Sequence, residues 1–276
     1  MLSGVYDVEM AAKEGFCTIF TAYGNSKRKV NWVLTDYSVC NYSANHMRLV
    51  KSALQKIDLN IADSAEATEA YKKVFGIQNV ITIHNLMNTE KVEKGKVKTE
   101  DQAEIDPSKL NLISVIRFHP QKAADRLLLA HKYVLDQGIE HELYLIGGGE
   151  QEAMLLKMQK DLNLTHVHFL DFKTNPYADI RACDLFVLPS LYEGFATVIN
   201  ESFIAGTPVL STEVAGVHEQ ITAPHYGWIV ENSQKGLNEG LLNALQSKDQ
   251  LQEMKRQLQG YHYPNDEIIR KFTEVL

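Results

Sequence analysis

The sequence predicts an α/β protein whose second part is a complete doubly wound, Rossmann-like domain with a parallel sheet. Two observations lead to this fold class. From Leu110 onward, short runs rich in β-branched and aromatic residues alternate with amphipathic stretches of helical period. The strand candidates are also apolar along most of their length, which is typical of strands that helices cover on both faces.

Six strand candidates follow one another after residue 109: LNLISVIRF, HELYLIGGG, HVHFLDF, LFVLPS, PVLST and WIVE. The helical stretches between them are AADRLLLAHKYVLDQG, EQEAMLLKMQKDLNL, YADIRACD and TVINESFIAG. Gly138 is expected to end the first of these helices. The segment from about residue 235 to residue 276 is predicted to be helical, with a break near Tyr263 and Pro264.

The first part of the chain shows the same alternation less clearly. Its strand candidates are KVNWVLTDY, LNIADS and VITIHN, and its helix candidates are NHMRLVKSALQKI and AEATEAYKKVFG. Residues 1–89 are too few for a complete doubly wound domain, so we interpret them as a partial α/β domain. Residues 90–108 are polar and charged without periodicity, which predicts a surface linker. Residues 109–260 then form the second domain, and 261–276 a C-terminal helix.

Composition and charge indicate a globular protein with a substantial core. Of the 276 residues, 45% are hydrophobic and 23% are charged, and the formal net charge is −7. This acidic balance argues against a dedicated nucleic-acid binder, so no nucleic-acid partner is predicted. The basic cluster Lys27-Arg28-Lys29 is either a solvated loop or a point of peripheral contact with a membrane surface.

The cysteines and the N-terminus predict a cytoplasmic protein. Cys17, Cys40 and Cys183 are three in number and widely spaced, which fits a reducing compartment and offers no zinc framework. Cys183 adjoins an apolar strand and is predicted to be a buried structural thiol. No signal peptide is evident, and no apolar run approaches the roughly 18 residues of a membrane helix.

Residues suited to ligand binding follow three of the predicted strands. Ligands of an open parallel sheet bind beyond the carboxyl ends of its strands. Arg117 and Lys122 follow the first strand, glycines 147–149 follow the second, and PSLYEGFAT follows the fourth. The two cations are either solvated charges or a clamp on a diphosphate, which gathers negative charge as it leaves.

The glycines at 147–149 have two interpretations. With Asp171 downstream they partly match a dinucleotide-binding fingerprint, but Glu152 occupies the place of the third glycine. The alternative is a tight turn, which requires glycine for its own reasons.

The segment PSLYEGFATVINESFIAG contains two acids, Glu193 and Glu201. We interpret Thr197 as a helix N-cap, which puts Glu201 in about the first helical turn and Glu193 in the preceding loop. The backbone N–H groups of residues 194–197 and the positive end of the helix then predict an anion site. Two carboxylates beside it suit a nucleotide-sugar, which has hydroxyl groups on both sides of its phosphates. A helix favoured by an acidic first turn would explain Glu201 but not Glu193.

These motifs resemble those of the retaining glycosyltransferases of the GT-B fold, family 4 type, or glycosyl transferases group 1. The resemblance covers about residues 110–231 through VIRFHPQK, LYLIGGGEQE, the stretch from FLDF to HEQI, and GWIV. Its most specific element is the E-x7-E spacing of Glu193 and Glu201. The stretch from IADS to MNTEK resembles the crossing between the two domains of such enzymes, and YHYPNDEIIRKFTEVL resembles a helix that packs back on the first domain.

The resemblance implies roles for individual residues. Three residues are implied to be catalytic: Arg117 and Lys122, which hold the donor diphosphate, and Glu193, which lies near the donor sugar. The implied donor-binding residues are Gly148, Gly149, Leu170, Phe172, Gly194, Phe195, Ala196, Thr197 and Glu201. Within this set Leu170 and Phe172 cradle the base, residues 195–197 form the loop over the phosphates, and Glu201 binds the ribose. No metal ion or other cofactor is implied, because the cations neutralise the leaving group.

The chain departs from the family pattern in two places. Its first residues, MLSGVYDVEMAAKEGF, resemble a segment from inside the acceptor domain. Leu34 stands in WVLTD where relatives often carry histidine, and leucine can neither hydrogen-bond a substrate nor move a proton. Both departures concern the acceptor side.

The expected function is transfer of a sugar, with retention, from a UDP- or GDP-linked donor to a saccharide or lipid-linked saccharide acceptor. The expected setting is bacterial surface polysaccharide or glycoconjugate synthesis. One alternative is a non-catalytic nucleotide-sugar-binding module, or half of a split enzyme whose partner chain supplies the acceptor side. Another is a sugar-nucleotide epimerase, which can share this fold.

Overall fold

A computed structural model describes residues 6–39, 42–97, 100–222 and 226–276, so Cys40 lies outside the described residues. Two units are present. The first contains the described residues up to 86, together with 193–195 and 264–276. The second contains residues 87–192 and 196–263, apart from the positions outside the described ranges.

The first unit is built on a parallel sheet of four strands in the order β1-β2-β3-β4. The strands are β1 (Val8–Ala11), β2 (Arg28–Val33), β3 (Leu59–Ala62) and β4 (Val80–Thr82). The helices are α1 (Phe16–Ala22), α2 (Ala44–Leu54), α3 (Ala65–Phe75) and the last helix of the chain, α12 (Asn265–Val275). The predictions of β2, β3, β4, α2 and α3 are confirmed, whereas β1 and α1 were not predicted.

Local signals explain the helix ends in this unit. The hydroxyl groups of Ser43 and Ser64 accept hydrogen bonds from backbone N–H groups in the first turns of α2 and α3. Gly76 ends α3 in the left-handed conformation. The ring of Phe272 on α12 packs against that of Trp32 on β2, with 5.0 Å between ring centroids.

The second unit contains a parallel sheet of six strands in the order β10-β9-β8-β5-β6-β7, which confirms the doubly wound prediction. The strands are β5 (Asn111–Val115), β6 (Glu142–Ile146), β7 (Val167–Leu170), β8 (Leu185–Leu188), β9 (Val209–Thr212) and β10 (Gly227–Val230). The helices are α4 (Thr89–Gly95), α5 (Ala124–Asp136), α6 (Glu152–Asp161), α7 (Tyr177–Ala182), α8 (Thr197–Ala205), α9 (Val217–Gln220), α10 (Gln234–Gln246) and α11 (Lys248–Leu258). Every residue of β6, β8 and β9 is buried, as strands covered on both faces must be.

Residues 90–108, predicted to be a surface linker without packing, begin within helix α4, which packs on the core, so that prediction is wrong for its first part. The side chain of Asn88 caps α4, and Val92 lies in the hydrophobic core of the second unit. Ion pairs such as Lys94–Glu90 lie on the exposed side of the helix. With so little buried apolar surface, a short charged helix shows no hydrophobic periodicity, and tertiary packing determines its position.

Cys183 is fully buried, as predicted, and Cys17 is exposed. Within the described ranges, no helix is both long enough and apolar enough to cross a bilayer.

Glu142 organises the amino-terminal edge of the second sheet. Its carboxylate accepts hydrogen bonds from Lys109 Nζ at 2.6 Å, His168 Nε2 at 2.7 Å and His166 Nδ1 at 3.1 Å. Burial on its own would raise the pKa of this carboxyl, but the three donors outweigh it and lower the pKa to about 2. The charged form of Glu142 therefore ties the starts of β6 and β7 to the segment before β5.

We expect Glu142→Gln to lower the free energy of unfolding by about 1–3 kcal/mol at pH 7, because three donors lose a charged acceptor. Since folding depresses the pKa of Glu142, this contribution is present above its ordinary value of 4.5 and is lost as the pH falls towards 2. Urea unfolding at several pH values measures the difference. The exposed Glu140→Gln is the control and should change stability little. Equal stabilities of wild type and Glu142→Gln at pH 7 would contradict the expectation.

Candidate functional site

A hollow of about 460 Å³ opens at the carboxyl-terminal edge of the second sheet. It is lined by Val115, Ile116, Arg117, Ile146, Gly147, Gly148, Phe172 and Lys173. The structure thus brings together three of the predicted site residues: Arg117, Gly148 and Phe172. The ring of Phe172 is 75% exposed and is available to stack on a planar group.

Close contact between main chains explains the glycines after β6. A Cβ at Gly147 would lie 1.9 Å from the carbonyl oxygen of Ile116, and one at Gly149 would lie 2.5 Å from that of Phe118. The N–H of Phe118 donates to the carbonyl of Gly148 at 2.9 Å, which joins the two loops directly. These glycines are therefore accounted for by a tight turn rather than by a dinucleotide fingerprint.

The end of β7 is fixed to the same turn. The N–H of Gly147 donates to the carbonyl of Leu170 at 3.2 Å, and Leu170 itself is half-buried. Lys173 also lines the hollow, but both oxygens of the buried Asp179 carboxylate accept from its Nζ, at 3.0 and 2.9 Å. The apolar side of the hollow comes from Val115 and Ile116 at the end of β5, Ile146 at the end of β6 and Phe172 after β7.

The two predicted cations lie on one short loop after β5. Arg117 is exposed, and none of the ion pairs within the described residues involves it. Lys122 is half-buried and ends a 3-10 turn at Pro120–Lys122. Ala123 follows in the left-handed conformation, with φ of 49°, and leads directly into α5. Few non-glycine residues adopt this conformation, so the turn has a defined shape.

Side-chain amides hold the loop that follows β8, and sequence analysis did not identify them. Gln121 Nε2 donates to the carbonyl of Tyr192 at 2.9 Å, and Asn232 Nδ2 donates to that of Leu191 at 2.9 Å. Arg126 Nη1 in turn donates to Asn232 Oδ1 at 2.8 Å. The turn that carries Lys122 is therefore joined to the segment just before Glu193. These residues follow no periodic spacing that would have revealed their role.

Thr197 is not the N-cap of α8, which corrects the sequence prediction. The helix begins at Thr197, and Ala196 holds the N-cap position without a capping side chain. The carbonyl of Ala196 accepts from the N–H of Ile199 at 3.0 Å and from Gln220 Nε2 at 2.9 Å, which fixes the helix start one residue earlier. Glu201 consequently lies in the second turn, just beyond the position that we predicted, and the alternative explanation by an acidic first turn does not apply to it.

The Glu201 carboxylate is held by another side chain. Its Oε1 accepts a hydrogen bond from the Tyr177 hydroxyl at 3.2 Å. Burial raises the pKa of Glu201 above its ordinary value, and the bond from Tyr177 and the charge of Lys91 offset this only in part. Glu201 is thus a partly desolvated, oriented carboxylate in the second unit.

Residues 193–195 group with the first unit. A Cβ at Gly194 would lie 2.5 Å from the carbonyl oxygen of Leu34, so only glycine fits there. The ring of Phe195 stacks on that of His84, with 4.9 Å between centroids, and is buried. Glu193 is also buried, with 8% of its surface exposed.

The carboxyl-terminal edge of the first sheet contains a buried acid that sequence analysis missed. Asp63 follows β3 and is 1% exposed, and within the described residues no hydrogen bond reaches its Oδ1. Burial raises its pKa to about 7, and the Glu14 carboxylate adds to this. Hydrogen bonds from Asn85 Nδ2, at 3.4 Å, and from its own N–H oppose the rise, as does the nearby His84.

Glu14 lies at the same edge and holds the chain after β2. Its carboxylate accepts from the N–H of Leu34 at 2.9 Å and from Thr35 Oγ1 at 2.6 Å. Leu34, which departs from the family pattern, is therefore held through its backbone N–H and not through its side chain.

A second hollow, of about 420 Å³, lies at the opposite edge of the second sheet, beside Lys109, Glu142 and His166. It contains none of the predicted site residues. Nowhere in the described part of the chain do three or more His, Cys, Asp or Glu side chains come together in a way that could hold a metal ion.

Comparisons with known proteins add the family. The sequence model of the family described as "Glycosyl transferases group 1" matches residues 96–260, more than half of the chain. The N-acetylgalactosamine-N,N'-diacetylbacillosaminyl-diphospho-undecaprenol 4-alpha-N-acetylgalactosaminyltransferase of Campylobacter jejuni is 28% identical over 234 residues, which cover 81% of this chain and 62% of that protein. The lipopolysaccharide core biosynthesis glycosyltransferase LpsE of Rhizobium meliloti is 30% identical over 146 residues, covering 52% of this chain and 39% of that protein. The chain thus spans less than two thirds of the length of these relatives.

Solved structures share the fold. Anabaena Alr3699/HepE in complex with UDP superposes with a TM-score of 0.82 at 18% identity, over 98% of this chain and 78% of that one. The sucrose-phosphate synthase of Thermosynechococcus elongatus gives a TM-score of 0.80 at 17% identity, over 98% of this chain and 73% of that one. This similarity confirms the predicted GT-B fold class.

We expect Asp63→Asn to remove a pH dependence of stability. Because folding raises the pKa of Asp63 from 3.8 to about 7, its contribution is fully present below pH 3.8 and is lost as the pH rises to about 7. The free energy of unfolding of wild type relative to Asp63→Asn should therefore fall by up to roughly 4 kcal/mol over that interval. Urea unfolding from pH 4 to pH 8 measures this. The exposed Asp161→Asn is the control, and parallel curves for wild type and Asp63→Asn would refute the assignment.

Proposed function

This chain belongs to the glycosyl transferases group 1 family, and we propose that it transfers a sugar from a UDP- or GDP-linked donor to a saccharide acceptor with retention. The observation that carries the proposal is the hollow beyond β5, β6 and β7, where an exposed arginine and an exposed aromatic ring line one space. It lies within the part of the chain that the family matches.

Donor binding uses residues of the second unit. Phe172 and Leu170 hold the base, since an exposed ring beside an apolar strand end offers a stacking surface. Arg117 and Lys122 bind the diphosphate, and the main chain at Gly148 and Gly149 approaches the donor closely.

The ribose and phosphate contacts come from α8 and its start. Glu201 accepts hydrogen bonds from the ribose hydroxyls. The N–H groups at Ala196 and Thr197 lie at the positive end of α8 and contact a phosphate. Of the residues grouped with the first unit, we assign Glu193 to the donor sugar and Gly194 and Phe195 to the phosphate loop.

The mechanism follows from the charges. As the bond between the sugar and the diphosphate breaks, negative charge grows on the leaving diphosphate, and the Arg117 guanidinium and Lys122 ammonium stabilise it most at that moment. The sugar gains oxocarbenium character, and the acceptor hydroxyl attacks from the face that the diphosphate is leaving and passes its proton to the departing phosphate oxygen. Configuration at the transferred carbon is thereby retained.

Named relatives support a role in surface polysaccharide or glycoconjugate synthesis. The Campylobacter protein is named for a diphospho-undecaprenol-linked acceptor, and the Rhizobium protein for lipopolysaccharide core biosynthesis. A lipid-linked saccharide is accordingly the acceptor class that we propose. The basic cluster at 27–29 is a weaker basis for membrane contact, because Lys27 pairs with Asp7 at 2.8 Å and Arg28 bonds the main chain at Leu276.

We expect calorimetry to show that the chain binds UDP or GDP. Arg117→Ala should weaken that binding about tenfold or more, because a charge-assisted contact to the diphosphate is lost. Arg181→Ala, an equally exposed arginine on α7 outside the hollow, is the matched control and should bind as wild type does. Failure of wild type to bind either nucleotide, or unchanged binding by Arg117→Ala, would overturn the proposal. Binding without transfer to any lipid-linked saccharide would instead favour a non-catalytic binding module.

A further inference from the structure

Helix α4 packs against α7 and α8, although the sequence predicted a surface linker there. Lys96, just after α4, donates from Nζ to the carbonyl of Ile204 on α8 at 3.2 Å. Asn175 Nδ2 donates to the carbonyl of Gly95 at 3.1 Å. A Cβ at Gly95 would lie 2.6 Å from the Tyr177 ring, so glycine is what lets α4 approach that ring so closely. Helix α4 and the residue that follows it thus form one wall around Tyr177 within the second unit.

Tyr177 is fixed on several sides. It is buried, and its N–H donates to Asn175 Oδ1 at 3.3 Å. Lys91 Nζ on α4 lies 5.8 Å from the centre of its ring. Burial and the neighbouring Glu201 carboxylate raise the pKa of the Tyr177 hydroxyl, so the hydroxyl stays protonated and always acts as a donor.

The bond from Tyr177 engages only one oxygen of Glu201. The hydroxyl donates to Oε1 at 3.2 Å, and no donor among the described residues reaches Oε2. An ionised carboxylate offers about four acceptor positions, so one bond leaves most of its capacity open. Neighbouring hydroxyl groups of a ribose are ligands that a carboxylate with one fixed oxygen can bind in a defined orientation.

We propose that Tyr177, held in place by α4, is a positioning residue for Glu201, orienting the carboxylate towards the two ribose hydroxyls of the donor nucleotide. The inference rests on the proposed function, since it assumes that Glu201 meets the ribose. It assigns a donor-site role to α4 and Tyr177, neither of which belongs to the E-x7-E segment. Tyr177 is therefore expected to increase the preference of the site for ribonucleotides over nucleotides that lack a ribose hydroxyl.

The experiment compares nucleotides by calorimetry on the full chain. Whichever of UDP and GDP binds wild type is measured beside its 2′-deoxy analogue. In Tyr177→Phe, we expect binding of the ribonucleotide to weaken about threefold to tenfold, with a smaller loss for the deoxy analogue, so that the ratio of the two affinities narrows. Tyr261→Phe is the matched control, because the Tyr261 hydroxyl donates to Asn200 Oδ1 at 3.1 Å on the same helix α8. Its affinity ratio should equal that of wild type.

A pH profile separates positioning from general support of the fold. The groups that face Glu201 are Tyr177 from α7 and Lys91 from α4, and both lower its pKa. Without the Tyr177 hydroxyl the pKa of Glu201 rises further. As the pH is lowered, Glu201 is therefore protonated earlier, and ribonucleotide binding should weaken at a higher pH in Tyr177→Phe than in wild type. If Tyr177 only supported the fold, Tyr177→Phe would lower the melting temperature but would not shift the pH at which half of the ribonucleotide binding is lost.

The outcomes are distinct. The inference is overturned if a folded Tyr177→Phe has the same ratio of ribonucleotide to deoxy-analogue affinity and the same pH midpoint of binding as wild type. The proposed function would still stand. Failure of wild type to bind UDP and GDP removes the proposed function, and the inference with it. If Tyr177→Phe does not fold, Asn175→Ala, which loosens the contact of Tyr177 with α4, replaces it. The ratio should then narrow in the same direction, and an unchanged ratio overturns the inference.

Discussion

Direct contact between the main chains after β5 and β6 is the constraint on which this end of the second sheet depends. Gly147 and Gly149 permit this contact, because a side chain at either position would lie closer to a backbone carbonyl oxygen than van der Waals contact allows. The contact leaves little slack between β5 and Arg117, so the guanidinium is carried by a short, hydrogen-bonded loop. The loop backbone is thereby fixed in advance, which reduces the reorganisation needed if Arg117 binds a diphosphate as proposed.

Side-chain amides extend this rigidity to the neighbouring loops. Gln121, Gln220 and Asn232 each donate to a main-chain carbonyl that lies outside regular structure. The bond to Ala196 is buried, where a carbonyl without a partner would be costly, and the bonds to Tyr192 and Leu191 are part-buried and exposed. Together these amides stabilise one loop conformation against others. The rim of the sheet is consequently assembled from loops that side-chain hydrogen bonds connect to one another.

Sequence reasoning located the six strands of the second sheet because each is apolar along most of its length, and burial on both faces produces that pattern in β6, β8 and β9. It missed α4, whose seven residues bury a single large apolar side chain, Val92. Thr197 was misassigned because cap preference is a local signal, whereas Gln220 fixes the helix start from a distant position. Asp63 belongs to no recognisable motif. Its raised pKa follows from burial in the folded structure, which the sequence does not show.

Glu142 and the three side chains that donate to it lie at one end of the second sheet, and the hollow beside Arg117 lies at the other. One contribution to stability and the contacts proposed for the donor therefore come from separate groups of residues at opposite ends of the same sheet. Substitutions at Lys109 or His166 can therefore change the stability of the domain while leaving every residue that lines the hollow intact.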